Sequence, residues 1–218
     1  MTTRAIGIGA GGNCRPIIDA IRLAGGVELV GLLDEAPSRH GEMVDGIPIL
    51  GGDDLLAAMK AEGVGHFFVG IGSSGREPFS CKARRDAFLR CSGVLEPLTV
   101  VHPGATVSPA AQIGPGACVL AGAIINAGAR VGANTLINTG AIIEHDCRVG
   151  AHAHVATGAI LAGAVTVATL AHVGAGATIR QGLAIGEGSV IGIGAVVVAD
   201  VDPGTVVAGV PARPLVKG

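Results

Sequence analysis

The chain has 218 residues, which gives a soft expectation of one or two small domains, and a formal net charge of −2 with no basic block. With no Trp or Tyr and only four Phe, base stacking on aromatic rings is excluded as a main theme, and the charge balance disfavours a nucleic-acid surface. Hydrophobic residues make up 49% and charged residues 15%, too apolar for a disordered chain, while the 37 glycines lack the three-residue period of collagen.

The start, Met1-Thr2-Thr3-Arg4, has neither the apolar run nor the cleavage site of a signal peptide. Arg4–Gly9 reads as a strand, followed by Gly7-Ile8-Gly9-Ala10-Gly11-Gly12 and a helix from about Asn13 to Ala24. Val27–Leu33 reads as a second strand that ends at Asp34. A helix near Asp53–Lys60, a strand near His66–Ile71, a helix near Lys82–Cys91 and a strand at Thr99–Val101 complete an α/β pattern. Gly7, Gly9 and Gly12 satisfy GxGxxG, with Asp34 lying 22 residues beyond Gly12. Backbone N–H groups at that helix start can hold a phosphate. The segment is about half a two-lobed dinucleotide fold, a size better suited to one nucleotide, such as the diphosphate of an activated sugar.

From Val101 the pattern changes. Every sixth residue to Val197 is aliphatic, 17 positions without a slip, and the residue four later is nearly always small. Six fits neither an amphipathic helix nor an alternating strand. It fits a solenoid of short flat strands and corners, three hexapeptides to a triangular coil of 18 residues, with aliphatic side chains stacked along the axis. The charge-free window Val149–Ile179 is long enough to suggest a membrane span, but it shares the same six-residue period, so no span is expected. Residues 1–100 hold 12 of the 17 acids and 10 of the 15 bases. Two domains are therefore expected, 1–100 and 101–218. Five scattered cysteines with no CxxC point to reduced thiols in a cytoplasmic protein.

Charges are rare in the repeat, and three of them flank one spot, Glu144-His145-Asp146-Cys147-Arg148. A histidine titrates near neutral pH and suits the removal of a proton from an attacking amine. An adjacent carboxylate fixes its tautomer and stabilises the imidazolium. Eighteen residues after His145, directly above it, comes Gly163, where a missing side chain leaves room for a coenzyme arm and a backbone N–H for an oxyanion. A metal held by His145, His152, His154 and Asp146 is disfavoured, because consecutive strand residues point to opposite faces; no metal is expected. His102, His152 and His172 read as surface or interface residues.

The hexads of residues 101–214, with the tail Gly209-Val210-Pro211-Ala212-Arg213-Pro214, resemble the hexapeptide-repeat acyltransferases, which fold as a left-handed parallel β-helix. A Rossmann-like half domain followed by such a helix resembles, over essentially the whole chain, the bacterial sugar acyltransferases of surface glycan synthesis. These comprise the nucleotide-amino-sugar N-acetyltransferases of UDP-bacillosamine and GDP-perosamine type and the sialic acid O-acetyltransferase-like proteins. The motif Asn138-Thr139-Gly140-Ala141-Ile142-Ile143-Glu144-His145-Asp146-Cys147 matches theirs. The resemblance implies His145 as base, Asp146 as its orienting partner, and Glu144 and Asn138 as supporting or substrate contacts. It implies a nucleotide-sugar site at Gly9, Gly11, Gly12, Asn13, Asp34, Gly72 and Ser73, with Arg76 near the phosphates, and coenzyme contacts at His154, Gly163, Gly182 and Arg213. Where the family usually has His after the last glycine, this chain has Asn13. Acetyl-CoA as co-substrate, a nucleotide-linked amino sugar as acceptor and a homotrimer with the coenzyme between prisms follow as expectations. O-acetylation of a sialic-acid-like sugar, or a non-catalytic nucleotide-sugar-binding trimer, are the alternatives.

Overall fold

A computed structural model describes residues 2–215; Met1 and residues 216–218, the outermost positions of the two expected domains, lie outside them. The chain opens with β1 (Thr3–Ile8), α1 (Cys14–Ala24), β2 (Val27–Leu33), β3 (Met43–Val44), β4 (Ile47–Gly51), α2 (Leu56–Ala61), β5 (His66–Val69), α3 (Lys82–Ser92) and β6 (Glu96–Pro97). These build one sheet in the order β3-β4-β2-β1-β5-β6, parallel throughout except for the β3–β4 edge pair. The central strands read as near-continuous apolar runs because both faces of the sheet are covered. The helix expected at Asp53–Lys60 is split, a 3₁₀ turn at Asp53–Leu55 leading into α2. The strand expected to reach Ile71 stops at Val69.

From Val100–Val101 onward the chain winds into a left-handed β-helix of short parallel strands in three stacks. Partners are 18 residues apart up to the last coil, where Val190 pairs with Val206 and the separation falls to 16. Outward residues on the first face run Cys118, Leu136, His154, His172, Val190; on the second Ile124, Ile142, Ile160, Thr178; on the third Gln112, Arg130, Arg148, Thr166, Ala184. The inward aliphatics and their small neighbours form one axial core from Ala117 to Val207. Turning a corner after each two-residue strand needs a left-handed backbone. Every sixth residue from Gly116 to Gly194 has positive φ, and all but five of them are glycine. The five are Asn134, Asp146, His152, Ala164 and Leu170, residue types for which this conformation carries strain. Left-handed residues other than glycine concentrate at functional sites, and Asp146 and Ala164 share the corner that carries His145.

The amino-terminal sheet is docked on the first face. Cys14, Ile17, Ile18 and Ile21 of α1 pack with Val100, Cys118, Leu120 and Leu136. Higher up, residues 72–81 run along the same face: Phe79 N–H donates to the Gly188 carbonyl (2.7 Å), and His172 packs against Gly75, where a Cβ would stand 2.5 Å from its Nε2. His172 was expected at a surface or interface and lies buried at this internal junction.

Arg84 is the largest fully buried side chain. Its Nη1 donates to the carbonyls of Val69 (2.7 Å) and Ile71 (2.9 Å), and its Nε to that of Asn134 (2.8 Å), tying β5 to a corner of the helix. Burial holds its pKa below the usual arginine value. Arg84→Ala leaves two buried carbonyls and one half-buried carbonyl without this partner beside a cavity and is expected to lower stability by about 3–5 kcal/mol. Urea unfolding measures this, and a loss below about 1 kcal/mol would show the anchor to be dispensable.

Candidate functional site

Two constellations stand on different corners of the molecule. The first is a cleft of about 530 Å³ at the carboxyl ends of β1, β2 and β5, where ligands bind in open α/β sheets. Gly9, Gly11, Gly12, Asn13, Asp34 and Gly72 all line it, as expected; Glu35, Asp53, Asp86 and Arg90 close its far end and were not foreseen. Arg90 bridges Asp53 (2.7 Å) and Glu35 (2.8 Å) across the opening. The glycine turn is shaped by Asp34, whose Oδ2 accepts from Ala10 N–H (2.8 Å) and Oδ1 from Ala36 N–H (3.0 Å). The Asp34 carboxylate is thus engaged in holding the turn. Gly11 and Gly12 have open space where a Cβ would stand, so their backbone is free to meet a ligand.

Two expectations need correction here. Ser73 does not line the cleft: its N–H points to His154 Nδ1 (3.3 Å) and its hydroxyl bonds that of Ser80 (2.6 Å). Arg76 is exposed and outside the cleft lining.

The cleft runs towards the corner between the first and second faces. The Asn13 side chain lies against Gly72, where a Cβ has no room, and its Oδ1 is 3.4 Å from Asn138 Nδ2. Asn138 Nδ2 also approaches His154 Nε2 (3.3 Å). His154 is only 4% exposed and packs edge-on against His172, ring centroids 4.9 Å apart. Burial drives the pKa of His154 well below the usual histidine value and that of His172 to about 4. His154, expected to contact the coenzyme or the substrate, is covered by the Ser73 backbone and belongs to the Asn13–Asn138 corner rather than to that of His145.

The second constellation sits on the next corner, between the second and third faces. His145 Nδ1 is 2.9 Å from Asp146 Oδ2, and Glu144 Oε2 accepts from the His145 backbone N–H (3.1 Å). The hydrogen bond to Asp146, with the charges of Asp146 and Glu144, holds the imidazole pKa above its ordinary value. Nδ1–H donating to Asp146 leaves Nε2 as the basic atom. That atom lies over Gly163, where a Cβ would be 2.6 Å from it. The room above His145 thus exists as predicted, but the imidazole itself fills it rather than a coenzyme arm. The side chain of His145 is 56% exposed. One coil further up, exposed Gly182 donates its N–H to the Gly163 carbonyl (2.9 Å), and exposed Gln181 stands in register with Gly163, so the gap in side chains above His145 is one coil deep. Cys147 points inward, its Sγ 3.1 Å from the Ala162 carbonyl, and burial pushes its pKa up, which removes it as a nucleophile.

The remaining expected residues scatter. Arg213 is exposed beside a hollow of about 200 Å³ under the last coil. His102 accepts from Gly104 N–H, and His152 packs against Phe88 with its Nδ1 3.0 Å from Asn134 Nδ2. His145, His152 and His154 thus occupy three separate surroundings and do not converge.

Residues 5–77 match the family model described as the PglD N-terminal domain. Among solved structures, perosamine N-acetyltransferase from Caulobacter crescentus is 34% identical, with 98% of this chain and 97% of that one aligned at a TM-score of 0.87; that structure is of a His-to-Asn variant in complex with CoA and GDP-perosamine. The acetyltransferase domain of PglB from Neisseria gonorrhoeae is 31% identical over 98% of this chain and 100% of that one, TM-score 0.88, and has also been solved with acetyl coenzyme A. WeeI from Acinetobacter baumannii, 24% identical over 98% of this chain and 100% of that one, shares the fold at a TM-score of 0.80. No curated protein sequence gives a significant match.

Proposed function

The chain belongs to the hexapeptide-repeat sugar N-acetyltransferases, and we propose on that footing that it moves the acetyl group of acetyl-CoA onto the amine of a nucleotide-linked 4-amino-4,6-dideoxy sugar, with His145 as general base. The observation that carries this reading is the His145–Asp146 pair at 2.9 Å, with the imidazole lying over Gly163 of the neighbouring coil.

The chemistry follows from that pair. His145 Nε2 takes the proton from the sugar amine as its nitrogen forms the C–N bond to the thioester carbonyl. The Gly163 N–H is the group nearest to hand for the oxyanion. As the C–S bond breaks, the protonated imidazole returns its proton to the leaving thiolate. Asp146 accepts from Nδ1–H throughout, which holds the ring and favours the imidazolium. Glu144 fixes the corner backbone through the His145 N–H. Gly163 and Gly182, on the His145 corner, mark where the coenzyme lies, while Arg213 sits on the strand that ends the first-face sheet; Gly9, Gly11, Gly12, Asn13, Gly72 and Asn138 line the acceptor site.

Asn13 and Asn138 stand one prism edge away from His145, so the acceptor held by one chain meets the imidazole of another. A homotrimer supplies that arrangement, and the partly exposed ladder Ile124, Ile142, Ile160 on the intervening face suits an interface around a three-fold axis. In this reading residues 1–100 form the nucleotide-sugar domain and 101–218 the acyltransferase domain. Five buried, free thiols support a cytoplasmic setting, and among the described residues no helix is long and apolar enough to cross a membrane.

Thiol release from acetyl-CoA, assayed with UDP- and GDP-linked 4-amino sugars and with free sialic acids, tests the assignment. Release is expected only with a nucleotide-linked amino sugar, and the two nucleotide arms assign the base. Release with sialic acid alone would move the activity to O-acetylation.

A further inference from the structure

The third face of the helix carries a feature that the proposed reaction leaves unused. Arg130 and Arg148 are directly in register on neighbouring parallel strands, flanked by Gln112 below and Thr166 above. Both are exposed. Adjacent strands lie only about 4.8 Å apart, and like charges placed opposite one another destabilise a sheet. Neither guanidinium takes part in an ion pair among the described residues. They border a hollow of about 530 Å³ whose lining includes Gln112, Thr166 and Thr169 and contains no acidic residue. Only five Lys or Arg lie beyond residue 100, and the nearest carboxylates in the chain, Glu144 and Asp146, are turned to the adjoining corner, where they bond His145. Two of the five are stacked here, and Arg148 follows His145 by three residues around the same corner.

We propose that Arg130 and Arg148 form a phosphate-binding pair that holds a phosphate of one of the two nucleotide-bearing substrates beside the His145 corner. The planar guanidinium fork matches phosphate oxygens in pairs. Two forks stacked one strand apart, with amide and hydroxyl groups from Gln112 and Thr166 at either end, present a donor-rich strip to an anion. Occupation by an anion also removes the repulsion within the pair. The inference rests on the acetyltransferase reading for the identity of the substrates, though not for the existence of the anion site. The phosphate comes either from coenzyme A, whose 3′-phosphate is a terminal dianion, or from the diphosphate of the nucleotide sugar.

Calorimetric titration of the full chain with CoA, dephospho-CoA, GDP and UDP separates these sources without depending on turnover. Arg130→Gln/Arg148→Gln keeps side-chain length and removes both charges from an exposed face. The double variant is expected to lose about tenfold or more in affinity. If the ligand is CoA, the loss appears with CoA and is absent with dephospho-CoA. If it is the nucleotide, the loss appears with GDP or UDP and is absent with CoA. Unchanged affinity for all four ligands overturns the proposal. So does a change of oligomeric mass by light scattering, which would assign the pair to a contact between copies of the chain. A chain that binds phosphate through this pair yet transfers no acetyl group would count against the proposed function alone.

Discussion

Replacing His145 by asparagine is expected to lower kcat by about 10²–10⁴-fold while leaving the melting temperature unchanged. The ring is more than half exposed, so little packing is lost, and the deficit falls on proton transfer. The pH dependence gives a sharper signature. A general base must be unprotonated to act, so activity falls as pH drops through the His145 pKa. Asp146 holds that pKa above the ordinary histidine value. In Asp146→Asn the support is gone, and the acid limb of the kcat/KM profile is expected to move to lower pH while the plateau also falls, because Nδ1–H loses its carboxylate. An acid limb that stays in place, or that moves upward, would show that the limb reports another group. Turnover undiminished in His145→Asn would remove the base from the mechanism.

The second large effect is expected at Gly163. Its backbone is outside the left-handed region, so alanine is conformationally acceptable there. The added methyl would nonetheless lie 2.6 Å from His145 Nε2 and 2.7 Å from Cε1. The atoms that yield are the tip of an exposed side chain, so the fold absorbs the change and the imidazole swings away. A displacement of about 1 Å at a reacting group can reduce the rate by roughly 10²-fold. Gly163→Ala is therefore expected to lose about that factor in kcat with the melting temperature within about 2 °C of the parent. Equal losses of stability and activity would point to damage of the coil instead, and full activity would show that the catalytic base is not held over this glycine.

The six-residue period made the β-helix, its core and the corner positions legible, because stacking identical coils leaves the same requirement at every sixth residue. The His145–Asp146 pair was legible for a related reason: charge is so sparse in the repeat that a cluster marks its own place. The spacing carries a further signal. Asn138 and His145 are seven residues apart, one hexad plus one, which puts them on successive corners. The burial of His154 and His172 was not legible, since their strand positions face outward and only the docking of residues 72–81 covers them. Arg84 gave no signal either. On α3 it reads as one more helix-surface cation, and its partners are carbonyls from β5 and from a corner 50 residues away. Local pattern reports what a repeat needs of itself; contacts between the sheet and the helix depend on how two separate surfaces meet.

Mixing two inactive chains tests the shared site most directly. His145→Asn retains the acceptor pocket and lacks the base; Gly12→Asp retains the base and places a carboxylate where the glycine turn meets phosphate. Neither is expected to turn over alone. Co-expressed in equal amounts and assembled at random into trimers, they are expected to regain about a quarter of wild-type turnover, since one interface in four joins an intact pocket to an intact imidazole. No recovery from a verified mixed assembly would contradict the account, because it would mean that pocket and base must come from the same chain.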